Sequence, residues 1–330
     1  MEIKNVVVAG GGVLGSQIAY QTAYKGYNVT VWLRSDASIE RAKPKFKNLG
    51  IMYRQMLTEM ESNPALAYCR GLAPKRSLDY LEIEELIEQT AYAHKRIRFT
   101  TDYEEAAQNA DLLIEAIAEN PADKIAFYTE MGKHLPDSAI IATNSSTMVP
   151  SMFAEHTPHS ERYLALHFAN EIWKNNTAEV MGHPGTDAQV YRDVVEFAKS
   201  IGMVALELHK EQPGYILNSL LVPFLNAANG LFANGVADVE TIDKTWVLAT
   251  GSPLGPFQIL DIVGLTTAYN ITAMDPRAKD PESTQAKIVA LLKEYIDAGK
   301  TGVAAGEGFY TYRKDSEVIT NKLEEVGAMA

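Results

Sequence analysis

The sequence contains little cysteine and has a deficit of positive charge. Cys69 is the single cysteine among 330 residues, so no disulfide can form within the chain. This scarcity favours a reducing compartment, and we expect a cytoplasmic protein. Lysine and arginine total 30 against 42 aspartate and glutamate residues, which gives a net charge of −12. Because a nucleic-acid surface needs a basic excess, this balance argues against nucleic acid as a partner.

Long apolar runs and metal-binding patterns are scarce as well. We expect no stretch that provides the ~20 apolar residues needed to span a bilayer. Residues 1–5 lead into an apolar strand too short for a secretory signal. The sequence has no HExxH or CxxC pattern and no clustered acidic loop, so no metal site is predicted. These absences predict a soluble protein that contacts neither a membrane nor a metal.

What the chain does contain is an alternation of short apolar strands with helices. A buried strand at 5–9, a helix at 16–25 and a second strand at 27–33 make a β-α-β unit. Further strands are predicted at 111–117, 139–143, 163–168, 177–181 and 203–208. This rhythm is typical of an α/β protein with a doubly wound, Rossmann-type sheet.

A glycine-rich loop joins the first strand to the first helix. The run GGGVLG at 10–15 satisfies G-x-G-x-x-G in the strand-loop-helix context of a dinucleotide site. Gly10 permits the tight turn, Gly12 lets the backbone approach a pyrophosphate, and Gly15 lets the helix pack on the strand. The helix N-terminus then offers free N–H groups to the phosphates. The predicted cofactor-binding residues in this loop are Gly10, Gly12, Val13, Leu14 and Gly15.

Two helical regions complete the predicted organisation. The charged residues at about 36–100 predict a helical hairpin that projects from the sheet, either as a solvated decoration or as a flap over a ligand. After a hinge at 210–213 the periodicity is helical throughout. We therefore expect a dinucleotide-binding domain at 1–209, a helical substrate and dimerisation domain at 213–315, and a polar tail at 316–330.

The second strand ends without the acidic residue that holds the adenine ribose of NAD. Leu33 occupies that position, and Arg34 and Ser35 follow it. A carboxylate there accepts a hydrogen bond from the ribose 2′-hydroxyl, whereas an arginine suits the 2′-phosphate of NADP. Arg34 and Ser35 are therefore predicted to contact a cofactor that is NADP or NAD, with NADP favoured. The alternative is that Arg34 is a solvated surface residue.

A histidine at the end of a strand is the candidate catalytic base. Oxidation of a secondary alcohol needs a group that takes the hydroxyl proton while hydride leaves carbon, and imidazole titrates near working pH. His167 lies at the carboxyl end of an apolar strand, where open α/β sheets place ligands, and Glu179 begins the next strand. From the residues alone, a merely hydrogen-bonded histidine and a solvent-facing glutamate stay open as alternatives.

Four fragments in this order, with Glu179 twelve residues after His167, resemble the L-3-hydroxyacyl-CoA dehydrogenase family. They are EAIAEN at 115–120, TNSST at 143–147, LHFAN at 166–170 and PGYILN at 213–218. GSPLGPF at 251–257 and GEGFY at 306–310 strengthen the match, which extends to about Tyr312. The resemblance implies interconversion of a 3-hydroxyacyl-CoA and a 3-oxoacyl-CoA by a homodimer that is joined through its helical domains.

The resemblance also implies roles for individual residues. His167 would be the base, and Glu179 would orient the imidazole and stabilise its cationic form. Ser146 and Asn218 match residues that hydrogen-bond the reacting oxygen, and Asn170 matches one near the histidine and the nicotinamide. The cofactor contacts implied outside the glycine-rich loop are Glu119, Lys124, Ser146 and Asn170.

Two departures from the family pattern bear on the substrate. The family usually has proline after the Asn170 position, where this chain has Glu171. The hairpin is longer than is typical, but it keeps basic residues where the family meets the phosphates of CoA, namely Lys43, Lys45, Lys47 and Arg54. We expect a short-chain acyl-CoA substrate, and Phe168 directly after His167 favours this CoA branch. Two alternatives stay open: a dehydrogenase of a free 3-hydroxy acid, of sugar-acid or carnitine type, and a non-catalytic dinucleotide-binding protein.

Overall fold

The computed structural model describes residues 2–63 and 68–312 of the chain. The chain divides into two compact units, the first ending at Ile216 and the second beginning at Leu217. The first unit contains the sheet, and the second is mainly helical. The polar tail predicted at 316–330 lies outside the described residues, as do positions 313–315 of the predicted helical domain.

An eight-stranded sheet forms the centre of the first unit, which confirms the predicted doubly wound α/β fold. Its strands are β1 (Asn5–Ala9), β2 (Asn28–Trp32), β3 (Ile97–Thr100), β4 (Leu112–Glu115), β5 (Ile140–Thr143), β6 (Tyr163–Phe168), β7 (Thr177–Gly182) and β8 (Val204–Leu208). Their spatial order is β3-β2-β1-β4-β5-β6-β7-β8. The strands from β1 to β6 are parallel, and β7 pairs antiparallel with β6 and parallel with β8. The carboxyl ends of the six parallel strands therefore lie along one edge of the sheet.

The central strands send alternate side chains into two hydrophobic cores, one on each face of the sheet. On β1, Val6 and Val8 belong to one core, whereas Val7 and Ala9 belong to the other. Because helices cover both faces, every position of such a strand is buried, as the burial of β4 and β6 shows. This two-sided burial is the reason that these strands are continuous apolar runs in the sequence.

β3 differs from the sequence prediction, which assigns residues 97–100 to the helical hairpin. This strand is the edge of the sheet, beside β2. Arg98 is exposed, and Ile97 and Phe99 are only half-buried, so this edge strand is incompletely covered. A partly exposed strand that contains an arginine lacks the continuous apolar run that marks the central strands, and the sequence signal for it is correspondingly weak.

Helices flank this sheet in the described part of the first unit. They are α1 (Val13–Tyr24), α2 (Asp36–Ser62), α3 (Tyr80–Arg96), α4 (Tyr103–Ala107), α5 (Pro121–Met131) and α6 (Ala188–Ser200). The predicted hairpin corresponds to α2 and α3. Local sequence sets where both helices begin: Ser35 caps α2, and Asp79 with Glu82 forms a capping box on α3.

The inner face of the hairpin packs against α1. The Tyr53 hydroxyl on α2 donates to Gln21 Oε1 at 2.7 Å, and the Tyr20 hydroxyl donates to the Thr90 carbonyl at 3.0 Å. Burial raises the pKa of the Tyr53 phenol well above its usual value, because desolvation penalises the phenolate. The hairpin therefore contributes buried side chains to the core of the first unit, and its outer face is charged.

The second unit is built on helices α7 (Tyr215–Ala233), α8 (Val239–Thr250), α9 (Pro256–Val263), α10 (Leu265–Ala273) and α11 (Thr284–Asp297). Two buried carboxylates join these helices to the segment around residue 310. Asp243 accepts from the Phe257 N–H and from the Tyr310 hydroxyl. Asp261 accepts from the Tyr310 N–H and from the Tyr312 hydroxyl. These bonds explain the two C-terminal sequence fragments as structural motifs, since buried carboxylates need donors in fixed places.

Helix α7 contradicts the expectation that no stretch is long and apolar enough to span a bilayer, because by length and composition alone this helix is. It has 19 residues, and an 18-residue window within it has a mean hydropathy of 1.4, with 17% of that window buried. The helix contains no charged residue, and its polar residues include Asn218 and Asn229. Leu220 on this helix is 69% exposed, so the helix has an apolar surface that the described residues leave uncovered.

Candidate active site

The glycine-rich loop between β1 and α1 has the geometry of a phosphate cradle. Gly10 has a φ of +124°, and a Cβ there would collide with the Ala116 carbonyl oxygen. Gly15 is packed as closely, because a Cβ on it would meet the Gly10 carbonyl oxygen. Beside Gly12 the space is open, with no heavy atom within 4 Å of the position a Cβ would take. No side chain caps the start of α1, so its first N–H groups are available to an anion.

A cavity of about 650 Å³ adjoins this loop at the ends of β1, β2 and β4. It is lined by both polar and apolar groups, including Gly10, Gly12, Trp32, Leu33, Arg34, Ser38, Arg41, Lys45, Tyr103, Asp123 and Phe127. Three cationic side chains line it in the region beyond the second strand. A dinucleotide phosphate and an adenosine moiety are the groups that such a mixed, cationic cavity suits.

The three residues singled out at the end of β2 are placed differently from one another. Leu33 is buried and packs beneath Gly11, and Arg34 is exposed at the cavity wall. Ser35 caps α2, since its Oγ accepts from the Ser38 N–H and shares a hydrogen bond with the Ser38 hydroxyl at 2.9 Å. Arg41 donates to that same Ser38 hydroxyl at 2.8 Å, so α2 begins with a group of donors close to Arg34.

A second cluster brings Glu119, Ser146 and Lys124 together. The Ser146 N–H donates to Glu119 Oε1 at 2.6 Å, and the Ser146 hydroxyl donates to the same atom at 3.2 Å. Lys124 Nζ lies 3.6 Å from Glu119 Oε2. The loop after β5 and the start of α5 are thus joined through one carboxylate, beside the loop that follows β4.

Beneath this cluster lies a buried carboxylate that the sequence analysis did not single out. Glu115, at the end of β4, is fully buried and accepts from Lys124 Nζ at 2.6 Å. It also accepts from the Tyr128 hydroxyl at 2.8 Å and from the Thr143 hydroxyl at 2.7 Å. Burial raises the pKa of the Tyr128 phenol well above its usual value, so the phenol stays a donor. Glu115 is the counter-ion of the buried Lys124. Its place in the EAIAEN fragment was the sequence signal that could have identified it.

His167 and Glu179 form a buried pair on neighbouring strands. They face each other in the antiparallel register of β6 and β7, and His167 Nδ1 lies 3.0 Å from Glu179 Oε2. The other carboxylate oxygen, Oε1, accepts from the Ile216 N–H at 2.8 Å. A carboxylate accepts only, so Nδ1 carries the proton and Nε2 is the basic nitrogen of the neutral ring.

Tyr215 stacks on the His167 ring and was not predicted as a site residue. The two ring centroids are 4.5 Å apart, with an interplanar angle of 21°. Tyr215 is buried and has a φ of +54°, which places a bulky residue in the left-handed region next to Gly214. The backbone at this point is held so that Ile216 N–H reaches Glu179. The PGYILN fragment contained this residue, but nothing in the sequence showed that its ring meets the histidine.

The structure places the remaining predicted residues as follows. Asn170 lies just beyond β6, and its Oδ1 accepts from Gln17 Nε2 at 2.8 Å. Asn218 lies in the first turn of α7 and belongs to the second unit. Val13 is exposed at the start of α1, and Leu14 is half-buried.

The basic residues of the hairpin do not form one cluster on α2. Lys45 donates to the Gly11 carbonyl at 2.8 Å, so it belongs to the cofactor cavity. Lys43 pairs with Glu40 at 2.6 Å, and Lys47 and Arg54 are exposed. Of the four predicted residues, Lys47 and Arg54 are therefore exposed and contact neither Gly11 nor Glu40.

The glycine-rich loop and the cavity beside it are typical of one class of protein, the dinucleotide-dependent oxidoreductases. Comparison with known protein families gives the same answer. The model of the 3-hydroxyacyl-CoA dehydrogenase NAD-binding domain matches residues 5–212, and that of the C-terminal domain of the same enzymes matches residues 214–312. The chain belongs to the 3-hydroxyacyl-CoA dehydrogenase family.

Individual relatives are similar over almost their full length. A probable 3-hydroxyacyl-CoA dehydrogenase of Caenorhabditis elegans is 31% identical over 316 residues, covering 94% of each chain. A probable 3-hydroxybutyryl-CoA dehydrogenase of Bacillus subtilis (strain 168) is 31% identical over 314 residues, covering 95% of this chain and 99% of the relative. These likenesses support NAD-dependent oxidoreduction.

A solved structure of a diketoreductase is more similar in sequence. It is 47% identical, superposes with a TM-score of 0.81, and is covered completely by 94% of this chain. That structure is described as one of substrate-directed dual catalysis of dicarbonyl compounds. The family likeness therefore identifies the reaction type, and it leaves the carrier of the substrate to be decided by the site.

Proposed function

We propose that the chain catalyses reversible hydride transfer between a nicotinamide cofactor and the 3-carbon of a 3-hydroxyacyl or 3-oxoacyl group. The observation that carries this proposal is the buried His167–Glu179 pair. It lies at the same edge of the sheet as the glycine-rich loop, where doubly wound sheets bind their ligands. The bound nicotinamide ring supplies the hydride acceptor or donor.

In the oxidation direction, His167 Nε2 takes the proton of the 3-hydroxyl group while the C–H bond breaks and its electron pair leaves as hydride. The hydroxyl becomes a carbonyl, and the imidazole becomes cationic. Glu179 stabilises that cation through Nδ1–H, as the aspartate of a catalytic triad does. In reduction the imidazolium returns the proton to the oxygen as hydride arrives. The Ile216 N–H occupies the second oxygen of Glu179, which keeps the carboxylate in place.

Donors are needed for the oxygen that becomes a carbonyl, because the negative charge of the transition state develops there. By family likeness we assign this role to Ser146 and Asn218, with Asn170 beside the nicotinamide. Glu119 and Lys124 are assigned to the cofactor. The Ser146 N–H and the Ser146 hydroxyl both donate to Glu119, so the Glu119 carboxylate holds Ser146 in place. These bonds support a shared role of the two residues at the cofactor.

For the carrier of the acyl group, our first candidate is coenzyme A with a short chain such as acetoacetyl. The family assignment and the exposed cations Lys47 and Arg54 support it. A 3-oxoacyl thioester is itself a 1,3-dicarbonyl compound. A second candidate is therefore a 1,3-dicarbonyl compound without CoA, and it is favoured by the likeness to the diketoreductase. The exposed Glu171 in place of the family proline also favours a departure in this part of the substrate site.

For the cofactor, we propose a preference for NADP over NAD. Arg34, Arg41 and Lys45 line the cavity beyond β2, and Leu33 offers no carboxylate to a ribose hydroxyl. The arginine guanidinium matches phosphate geometry with paired donors. Asp36 in the first turn of α2 and Asp123 in the cavity wall oppose a phosphate, so the cations outnumber the acids only slightly.

We also propose a homodimer, formed through the apolar face of α7 and acting in the cytoplasm. Leu220 and Leu217 are exposed on this helix, and such a face is stable in water only when a partner covers it. A two-fold dimer closes symmetrically and leaves no apolar face exposed.

One experiment distinguishes the candidate functions. Absorbance of the reduced cofactor would be followed with acetoacetyl-CoA, with the N-acetylcysteamine thioester of acetoacetate, and with ethyl acetoacetate and free acetoacetate. Turnover confined to the CoA thioester supports the first candidate. Equal kcat/KM for all thioesters and esters supports the CoA-free dicarbonyl candidate. Preference for free acetoacetate would indicate a 3-hydroxy acid dehydrogenase, and no turnover with any substrate would refute the proposed function.

A further inference from the structure

Gln17 is a buried polar residue on α1, one turn after the glycine-rich loop. It is 6% exposed, although most of its neighbours on α1 are small or apolar side chains packed on the sheet. A buried carboxamide is costly unless its oxygen and its N–H groups are hydrogen-bonded. Among the described residues, the partners of its side chain are in the segment that follows His167 on β6, which places Gln17 beside the candidate active site.

The orientation of the Gln17 amide is determined by backbone donors. Gln17 Oε1 accepts from the Glu171 N–H at 2.9 Å and from the Ile172 N–H at 3.4 Å. A backbone N–H can only donate, so the atom that faces these groups has to be the oxygen. The amide nitrogen of Gln17 consequently points to Asn170.

The same reasoning fixes the Asn170 amide. Gln17 Nε2 lies 2.8 Å from Asn170 Oδ1. A rotated Asn170 would place one amide nitrogen against another and lose this hydrogen bond. The Asn170 Nδ2 group is therefore turned away from Gln17, and among the described residues no protein acceptor takes its N–H groups. Asn170 is exposed and follows the strand of His167, so these donors are accessible to a ligand.

Glu171 makes this arrangement possible. Its φ of +56° lies in the left-handed region, where the chain turns its N–H back towards Gln17. A proline at this position, as the family usually has, would hold φ near −65° and would provide no N–H. The hydrogen bond to the Gln17 side chain therefore requires a residue other than proline at position 171.

From this chain of hydrogen bonds we propose that Gln17 is a positioning residue, which makes Asn170 present N–H donors rather than a carbonyl oxygen to the ligand. The ligand atom addressed is an acceptor oxygen, either the carboxamide oxygen of the nicotinamide or the carbonyl oxygen of the substrate. The effect of Gln17 on turnover rests on the proposed function. The orientation of the Asn170 amide does not depend on that function.

The first test compares Gln17→Glu with Gln17→Met. A glutamate keeps an acceptor for the two backbone N–H groups, but its second oxygen forces Asn170 to rotate and expose Oδ1. A methionine removes the hydrogen bond to Asn170, so the Asn170 amide can adopt either orientation. We expect kcat to fall by about 10²-fold in Gln17→Glu and by roughly tenfold or less in Gln17→Met, the order expected for a misplaced donor. A purely structural glutamine predicts the reverse order, because the glutamate is the more conservative change.

The second test leaves the helix core unchanged. Glu171→Pro and Glu171→Gly both delete the exposed carboxylate, but only the proline removes the N–H and excludes a positive φ. We expect kcat of the proline variant to lie at least about tenfold below that of the glycine variant. This pair of variants tests the positioning role of Gln17 even where the Gln17 variants fail to fold.

An activity-free measurement separates the proposal from the function on which it draws. The side-chain ¹⁵N–¹H signals of Asn170 can be assigned in the full chain by their loss in Asn170→Asp. In Gln17→Glu they should move strongly, because the N–H then donates to a carboxylate, and in Glu171→Gly they should stay near their wild-type positions. Turnover at least as high in Gln17→Glu as in Gln17→Met, or unmoved Asn170 signals, would overturn the proposal. A wild type inactive on all the dicarbonyl substrates would refute the proposed function alone.

Discussion

His167 Nδ1 and Glu179 Oε2 are 3.0 Å apart across the single antiparallel strand pair of the sheet. The register of β6 and β7 places the two residues directly opposite each other, so the pair is built into backbone geometry rather than into a flexible loop. The carboxylate determines which imidazole nitrogen is basic, because it accepts the Nδ1 proton. The pair is consequently oriented before any ligand binds.

Catalysis by this pair gives the first prediction. Replacing His167 with glutamine should lower kcat by about 10²–10⁴, the range for loss of a general base, with cofactor affinity preserved. Glu179→Gln should cost less, and the double variant should lose little more than His167→Gln, because the residues act as a unit. Steady-state kinetics and cofactor titration measure both quantities. His134→Gln, in the turn after α5, is the control, and near-normal turnover of His167→Gln would refute the assignment.

The fold could be predicted from the sequence where burial on both faces of a strand produces a continuous apolar run. The central strands are buried on both faces, and β1, β5, β6 and β7 appear as apolar runs. The edge strand β3 is only partly buried and contains the exposed Arg98, so it gave no such signal. Helix starts followed local chemistry, as the Asp79 capping box shows.

Candidate site residues were predicted where a residue belongs to a sequence fragment or, like Glu179, lies at a fixed distance from one. His167 and Glu179 are separated along the chain by a turn, and antiparallel register explains their meeting. Gln17 meets Asn170 across 153 positions of sequence, and Tyr215 meets His167 through ring packing. Such contacts depend on the tertiary arrangement of elements, and local periodicity contains no information about them.

Cofactor selection gives the second prediction. Arg34→Ala should lower kcat/KM for NADPH by about tenfold, equivalent to loss of one charge-assisted contact, and should leave kcat/KM for NADH within about twofold. Leu33→Asp should shift the preference towards NADH by placing a carboxylate near the ribose. Arg192→Ala, on the exposed face of α6, is the matched control for charge. A wild type that favours NADH by tenfold or more would contradict the prediction.

The acyl carrier gives the third prediction. Replacing Lys47 and Arg54 with glutamine should raise KM for acetoacetyl-CoA by about tenfold and flatten its dependence on salt, since exposed charge contacts are screened. KM for the N-acetylcysteamine thioester, which lacks the phosphates, should not change. Lys133→Gln is the control, because this exposed lysine on the segment after α5 pairs with Glu130. Equal KM effects on both thioesters would show that the hairpin cations do not meet CoA.

Lys25 gives a prediction for stability against pH. Burial lowers the pKa of this lysine to about 8, because desolvation disfavours the ammonium. Its Nζ donates to the Leu72 carbonyl, which also accepts from the Tyr24 hydroxyl, so the carbonyl keeps a donor when the lysine is removed. An amine with a depressed pKa destabilises the native state while charged. The penalty is complete below about pH 8 and disappears as pH rises to the unfolded value of 10.5.

Lys25→Met should therefore be more stable than the wild type at pH 7, by about 1–2 kcal/mol because the side chain is partly solvated. The difference should shrink steadily between pH 8 and pH 10. Urea unfolding of both proteins across this range measures it, and Lys133→Met, an exposed lysine, should show a difference that does not change with pH. A constant advantage, or none at pH 7, would mean that Lys25 is fully hydrated in the native state.

Assembly gives the last prediction. An 18-residue window of α7 has a mean hydropathy of 1.4 and is only 17% buried, and Leu220 on this helix is 69% exposed. Light scattering at micromolar concentration should give about twice the chain mass of 36.3 kDa. Leu220→Arg should shift the equilibrium to monomer, because a charge buried at a self-complementary interface is unpaired in both copies. Val204→Arg, an exposed apolar position on β8, should leave the mass unchanged.

A wild type that stays at the monomer mass would reject the dimer. Association with lipid vesicles that is lost in Leu220→Arg would mean that a membrane, rather than a second copy, covers the face.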